Sequence, residues 1–203
     1  KSNELAHFLT HFPEFFKKNA NFIIGITLIV IAFVTWPMFC RMSQQKVIAE
    51  GSQVSESIQM LGQDIMKALQ AYKESPDQLS PALDSILANA DKLSASASET
   101  DNPNLIALAY IKAAQAIRTE LHLRDEVVSA EMVDTQIQKA QDAYEKASDA
   151  AVIPAMKAMA QFGQGLCAEE RGQTQQAADI YKAIADDETF AATIFPKMAQ
   201  SRL

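Results

Sequence analysis

Apolar and small residues recur every three or four positions over most of the chain, which is the period of helices packed on one side. After residue 41, one narrow face carries Val47, Gly51, Val54, Ile58, Leu61, Ile65, Ala68 and Tyr72. A shorter run, with Ser80 as cap and Pro81 in its first turn, buries Leu83, Ile86, Leu87, Ala90 and Leu93. The pattern predicts a helical hairpin over about residues 43–93.

The remainder of the chain predicts two more hairpins. One spans 102–151, with a helix from Asn102-Pro103, a polar interval up to Asp134, and a second helix over 137–151. The other spans 154–189, with a turn at Gly172 and Thr174 as the cap of its second helix. A short helix over 195–203 follows. The predicted fold class is therefore all-α.

The first hairpin has helices of unequal length. The shorter helix covers the longer one only from about Ile58 to Tyr72, which leaves Val47 and Val54 without a partner in the chain. We therefore expect Val47 and Val54 to contact another chain or another membrane subunit.

Residues 22–40 read FIIGITLIVIAFVTWPMFC, an uncharged stretch of nineteen residues. This length is close to what a helix needs to cross about 30 Å of hydrocarbon. The stretch is longer than the apolar part of a signal peptide, and Trp36-Pro37 is not a small-residue cleavage site. We expect one uncleaved transmembrane helix that continues into a stalk, with a kink at Pro37.

Residues 1–21 form an amphipathic segment ahead of that stretch. Its apolar side carries Leu5, Phe8, Leu9, Phe12, Phe15 and Phe16. Such a face lies in the membrane interface or packs on a membrane subunit. We therefore predict that Phe8, Phe12, Phe15 and Trp36 contact membrane or neighbouring membrane protein, whereas residues 41–203 form the extracytoplasmic domain.

The charge distribution predicts the orientation and excludes one class of ligand. Residues 1–41 carry a net charge of +2 and residues 42–203 carry −9, which gives −7 for the whole chain. Lys1, Lys17 and Lys18 precede the apolar stretch, against Arg41 and Lys46 after it, which favours a cytoplasmic N-terminus. The sequence predicts a single-pass protein of a bacterial inner membrane with a periplasmic domain. The acidic domain repels phosphate backbones, so nucleic acid is not expected as a ligand.

Few residues are available for catalysis or metal binding. The chain has three histidines, two distant cysteines and six glycines. His7, His11 and Glu14 lack the zincin pattern, and His122 has carboxylates close in sequence but no nucleophile beside it. We expect no enzyme activity, no cofactor, no metal site and no small-molecule substrate.

Two of the predicted helices repeat one pattern. Ala140, Asp142 and Tyr144 match Ala177, Asp179 and Tyr181 at an offset of 37 residues. A small residue lets two helices approach, and the ring four positions later fills the space beside them. With Gly165 and Gly172, this pattern resembles the tetratricopeptide repeat (TPR), most clearly over 158–191, and it implies a solenoid of α-hairpins.

Together with the membrane stretch, the chain resembles the membrane-anchored periplasmic TPR family that includes the ancillary subunit of the bacterial Sec translocon. The resemblance implies a non-enzymatic scaffold that binds protein partners at the membrane, in protein translocation or envelope protein folding. The binding groove would include Met159, Phe162, Leu166 and Glu169, although such a stripe is also typical of a helix core. The alternative is a structural accessory subunit of a large membrane complex, such as a respiratory one, which would be held through residues 1–58.

Overall fold

The fold is taken from a computed structural model, which describes residues 20–124 and 128–203. Within these ranges the side chains of residues 20–44, 47, 50 and 76 fall outside the description. Every regular element in the two ranges is helical, as the sequence predicts. The α-helices are α1 (Ala20–Glu74), α2 (Leu79–Ala97), α3 (Pro103–Leu123), α4 (Ala130–Ala150), α5 (Pro154–Glu170), α6 (Thr174–Asp186) and α7 (Phe195–Gln200). Single 3₁₀ turns span Pro76–Gln78 and Glu188–Phe190.

The chain divides into two compact units, Lys1–Ile48 and Ala49–Leu203. In the first unit, the predicted amphipathic segment lies outside the described residues, apart from the start of α1. Helix α1 runs through Pro37 without a break, so this proline does not end the helix. Among the residues that the structure describes, no helix combines the length and the apolar character needed to cross a membrane. The side chains of the predicted membrane stretch are not among those described, so that stretch stays a prediction.

In the second unit, α2 runs antiparallel to the last part of α1. The Asn89 amide donates to Asp64 over 2.5 Å, and the Gln53 amide donates to Glu99 over 3.1 Å. The helix reaches Ala97, whereas the sequence suggested an end near Leu93, because the serines that follow stay in the helix. Val54 is therefore covered within the chain and is only 2% exposed. The expectation that Val54 lacks an intrachain partner is wrong.

The later helices contact one another in a recurring order. Helix α3 packs on α4, α4 packs on α5, and α5 also reaches α3. The same set recurs one hairpin later, where α5 packs on α6, α6 packs on α7, and α5 also reaches α7. Helix α5 therefore packs in the furrow between α3 and α4, and α7 packs in the same way between α5 and α6.

Local sequence signals set three of the ends of the described helices. Asn102 caps α3 by accepting from the amides of Asn104 and Leu105, with Pro103 in the first turn. Ser129 caps α4 by accepting from Met132, seven residues earlier than predicted, so only a short connection separates α3 from α4. Gly172 adopts a φ of 72° after α5, which favours glycine and turns the chain into α6.

Two of the predicted caps are wrong. Helix α2 begins at Leu79 after the 3₁₀ turn, so Ser80 lies inside the helix and is not its cap. Helix α6 begins at Thr174, but its cap position is Gln173, which makes no side-chain capping bond.

Two clusters of buried residues fill the second unit. The larger one joins α1 to α5 and includes Leu61, Leu83, Ile111 and Tyr144. The smaller one joins α5 to α7 and includes Phe162, Tyr181, Ile184, Phe190 and Phe195. Helix α5 contributes to both, so the position of α5 decides where the candidate binding residues lie.

Candidate functional site on helix α5

Two glycines fix helix α5 against the tyrosines of its neighbours. A Cβ atom on Gly163 would lie 2.4 Å from the ring of Tyr144, and one on Gly165 would lie 2.5 Å from the ring of Tyr181. Both rings are almost fully buried. Tyr144 and Tyr181 are the two tyrosines of the repeat pattern. Each therefore packs its ring on the backbone of α5 at a glycine, Tyr144 from α4 and Tyr181 from α6.

Three of the four predicted groove residues are partly exposed on α5. Met159 packs against both hydrophobic clusters, and the Gln115 amide lies 3.9 Å from its sulfur. Leu166 packs against the smaller cluster and keeps part of its surface in solvent. Glu169 accepts from Arg202 over 2.9 Å. Since 159, 166 and 169 recur at helical spacing, they share one side of α5.

Phe162, the fourth predicted residue, is a core residue. It is 7% exposed, and its ring centroid lies 5.3 Å from that of Tyr181 and 6.0 Å from that of Phe195. The ring is thus covered by α6 and by the chain's own α7. An alanine or glutamate at Phe162 disturbs the packing of three helices, so it does not test binding alone.

The predicted membrane and stalk contacts have different outcomes. Phe8, Phe12 and Phe15 lie outside the described residues, as do the side chains of Trp36 and Val47. Those predictions are untested. Val54 is the exception, since it is buried between α1 and α2 and offers no surface to another chain.

An ion cluster joins the last turns of α3 and α5. Arg118 donates from Nε to both carboxylate oxygens of Glu170 over 3.1 Å and from Nη2 to Oε1 over 2.5 Å. His122 Nε2 lies 2.9 Å from the same Oε1 atom. The partners are 48 and 52 residues apart, so sequence proximity gives no hint of them. The cluster holds two parallel helices of successive hairpins at one end.

Burial and the neighbouring charges have opposite effects on the pKa values of Arg118 and Glu170. Burial alone would lower the pKa of Arg118, but hydrogen bonds from its guanidinium to Glu170 outweigh that effect and raise it. For Glu170, burial would raise the pKa, yet the hydrogen bonds from Arg118 and His122 lower it. Glu170 is therefore ionised under ordinary conditions and holds its two partners as a charged acceptor.

The buried groups beside the cluster are poor proton donors. Burial raises the pKa of Tyr144, which the adjacent Arg118 partly offsets. Burial also raises the pKa of Cys167 to about 12. A thiol with this pKa is protonated near neutral pH, and it behaves as a small apolar side chain.

Glu120, the carboxylate near His122 in sequence that the structure describes, faces away from it. Glu120 is 1% exposed and is bonded to Arg124 from the next helical turn, on a different side of α3. Asp125 and Glu126 lie outside the described residues. Over residues 20–124 and 128–203, no three His, Cys, Asp or Glu side chains are grouped as metal ligands. His7, His11 and Glu14 lie outside this range.

Comparisons with protein-family models, with curated proteins and with solved structures found no match to this chain. The functional argument therefore depends on the geometry of α5 and its neighbours, together with the sequence pattern.

Proposed function

We propose that the protein is a membrane-anchored, TPR-like scaffold that binds other proteins through the side of α5 that carries Met159, Leu166 and Glu169. Protein translocation or envelope protein folding is the setting that the sequence resemblance favours. The apolar stretch 22–40 serves as the anchor in a bacterial inner membrane, with the N-terminus in the cytoplasm and the helical domain in the periplasm. In this proposal the protein has no catalytic role.

One observation carries the proposal: α5 is fixed by its contacts with α4 and α6, while three side chains between those contacts keep part of their surface in solvent. Gly163 and Gly165 lock α5 against Tyr144 and Tyr181. Met159, Leu166 and Glu169 lie between these two glycines around the helix, so they are presented on a fixed support. Methionine and leucine there offer adaptable apolar contact, and Glu169 adds a charge at the rim. Association costs less conformational entropy when the binding site is on a rigid element.

The repeated contact order supports a TPR-like arrangement. Helix α5 enters the furrow of the α3–α4 hairpin, and α7 enters that of the α5–α6 hairpin. Helix α4 begins at Ala130, so the connection between α3 and α4 is shorter than the polar interval up to Asp134 that the sequence predicted. Stacks of this kind use the inner side of the first helix of each hairpin for binding.

The alternative, a structural subunit held through the stalk, has less surface available than the sequence suggested. Its stalk contact was to include Val54, and α2 already covers that residue. Val47 and the membrane stretch remain open to such a role.

The test compares two charges placed on opposite sides of α5. Leu166→Lys changes the proposed binding side, and Gln164→Lys places the same side chain about 200° away around the helix. The full-length chain and both variants are purified natively in mild detergent, and the co-purified proteins are identified and quantified by mass spectrometry. Thermal unfolding followed by circular dichroism shows whether each variant is folded.

We expect Leu166→Lys to lose its stoichiometric partners and Gln164→Lys to retain them. Equal recovery of partners by a folded Leu166→Lys variant would contradict binding through this side of α5. If Leu166→Lys is unfolded, Leu166→Gln replaces it, because glutamine removes apolar contact without adding charge. Loss of partners only when residues 1–48 are deleted would favour the structural-subunit alternative.

A further inference from the structure

Helix α7 is a short amphipathic helix that lies in the furrow between α5 and α6. It contacts both helices. Phe195 and Ala199 are buried, whereas Ile194 is 68% exposed and Met198 also faces solvent. The α5–α6 furrow is defined here by Phe162, Leu166, Glu169 and Tyr181. Phe162 contacts Phe195, Glu169 contacts Arg202, and Leu166 and Tyr181 pack in the same hydrophobic cluster as Phe195. A segment of the chain itself thus occupies the place that the sequence assigned to a partner.

Three side chains attach this segment to the furrow. The Phe195 ring packs on Phe162 at 6.0 Å, Ala199 is fully buried, and Arg202 donates to Glu169 over 2.9 Å. They stand at positions i, i+4 and i+7: Phe195 and Ala199 share one side of α7, and Arg202 follows in the turn after Gln200. The furrow therefore accepts an aromatic side chain, a small side chain and a cation in that order.

The attachment of α7 is weak for its size. A helix of six residues is unstable alone, because nucleation costs more than so few hydrogen bonds return. The Arg202–Glu169 pair is half exposed, and exposed pairs add little to stability. The docking of α7 thus depends on Phe195 and Ala199, and elements with so few buried contacts open locally before the rest of a fold.

Tyr181 lies beneath the rim of the furrow. It is 1% exposed, and the charges of Glu169 and Arg202 both act on its hydroxyl. A cation in the place of Arg202 therefore lies near both the Glu169 carboxylate and this hydroxyl.

We propose that α7 is a displaceable resident of the α5–α6 furrow. A protein partner enters the furrow as an amphipathic helix with an aromatic, a small and a cationic side chain at i, i+4 and i+7. This inference rests on the proposed function and names the chemistry of the partner. Binding then requires release of α7, and the affinity for the partner is reduced by the fraction of molecules in which α7 remains docked.

The test uses a fluorescent peptide with the sequence of residues 191–203, added to the full-length protein and followed by anisotropy. Phe195→Ala removes the main anchor of the resident helix and leaves the furrow intact. We expect the peptide to bind Phe195→Ala at least ten times more tightly than the wild type. Met198→Ala is the matched control, since Met198 is on the same helix but points away, and it should bind as the wild type does.

A second peptide carries alanine in place of Phe195 and glutamate in place of Arg202. This peptide should not bind any of the proteins, because it lacks two of the three anchors. Equal affinity of the first peptide for wild type and Phe195→Ala would overturn the proposal. Dimerisation of the variant without peptide binding would also overturn it, since the exposed furrow would then contact a second copy of the chain and not an incoming helix.

Hydrogen exchange on the wild type tests the proposal even if Phe195→Ala fails to fold. Amides of α7 should exchange at least a hundred times faster than those in the middle of α6. Exchange of α7 and α6 at the same rate would mean that α7 leaves only on global unfolding, which contradicts a displaceable helix.

The two proposals fail in different ways. If Leu166→Lys loses partners but the first peptide does not distinguish Phe195→Ala from wild type, the scaffold function stands and the displacement of α7 is wrong. If Leu166→Lys keeps its partners, binding through α5 is wrong whatever the peptide does.

Discussion

Helix α4 approaches α5 closely at Gly163, so the same change to alanine should have opposite effects on the free energy of unfolding at Gly163 and at Gly62. Gly163→Ala places a Cβ atom 2.4 Å from two ring carbons of Tyr144. Carbon atoms in contact are normally about 3.5–4.0 Å apart, so the ring or the helix must move by about 1 Å. Tyr144 is almost fully buried and has no free space to enter.

The magnitude follows from two opposing effects. Alanine favours a helix interior over glycine by about 1 kcal/mol. Overpacking a filled core costs about 1–3 kcal/mol, and a clash with a buried ring belongs at the upper end of this range. We expect Gly163→Ala to lower the free energy of unfolding by about 1–2 kcal/mol. Gly62→Ala meets no atom within 4 Å on exposed α1 and should raise it by up to about 1 kcal/mol.

The assay is urea unfolding of the full-length chain in detergent, followed by circular dichroism at 222 nm. The same substitution is made twice, so the helix propensity cancels in the comparison and the difference between the variants reports the contact with Tyr144. Stabilisation by Gly163→Ala comparable to that by Gly62→Ala would refute the glycine–tyrosine packing of α4 on α5.

Three further predictions concern the charged and buried groups. Arg124→Met leaves the carboxylate of Glu120 buried without its partner, which should cost about 3–5 kcal/mol in the same unfolding assay; adding Glu120→Leu should recover most of that loss. The lowered pKa of Glu170 means that its contribution to stability is present at neutral pH and is lost as pH falls below 4.5, through the folded pKa. The stability difference between wild type and Glu170→Gln should therefore shrink on acidification, and a constant difference from pH 7 to 3 would contradict the pairing. Burial and a pKa of about 12 should protect Cys167 from maleimide in a Cys40→Ser background at pH 7.5, with labelling only in denaturant; rapid labelling of the native protein would place the thiol at the surface.

The sequence predicted the helices well because its apolar residues recur with a clear period. Helix α5 begins at Pro154 and ends at Glu170 as expected, and the turn at Gly172 has the positive φ that glycine permits. The end of α2 was missed, since the serines after Leu93 favour turns in isolation. Ser96 and Ala97 are buried, and this burial keeps them in the helix.

The candidate site was only partly predictable. Met159, Leu166 and Glu169 share the predicted side of α5, but Phe162 is covered by α7, and a periodic pattern does not distinguish a groove residue from a core residue. The pairing of Arg118 and His122 with Glu170 depends on α5 returning parallel to α3. Such contacts come from tertiary packing, which no local spacing encodes.

Helix α5 also has a consequence for how the domain loses its structure. Stacked repeats can in principle melt one unit at a time, because each unit touches only its neighbours. Here a single helix serves as a wall of both hydrophobic clusters, and Met159 packs on each. Unfolding of the last hairpin would therefore remove one side of the larger cluster, so the helices up to α6 that share the two clusters should unfold in a single cooperative transition and not one hairpin at a time.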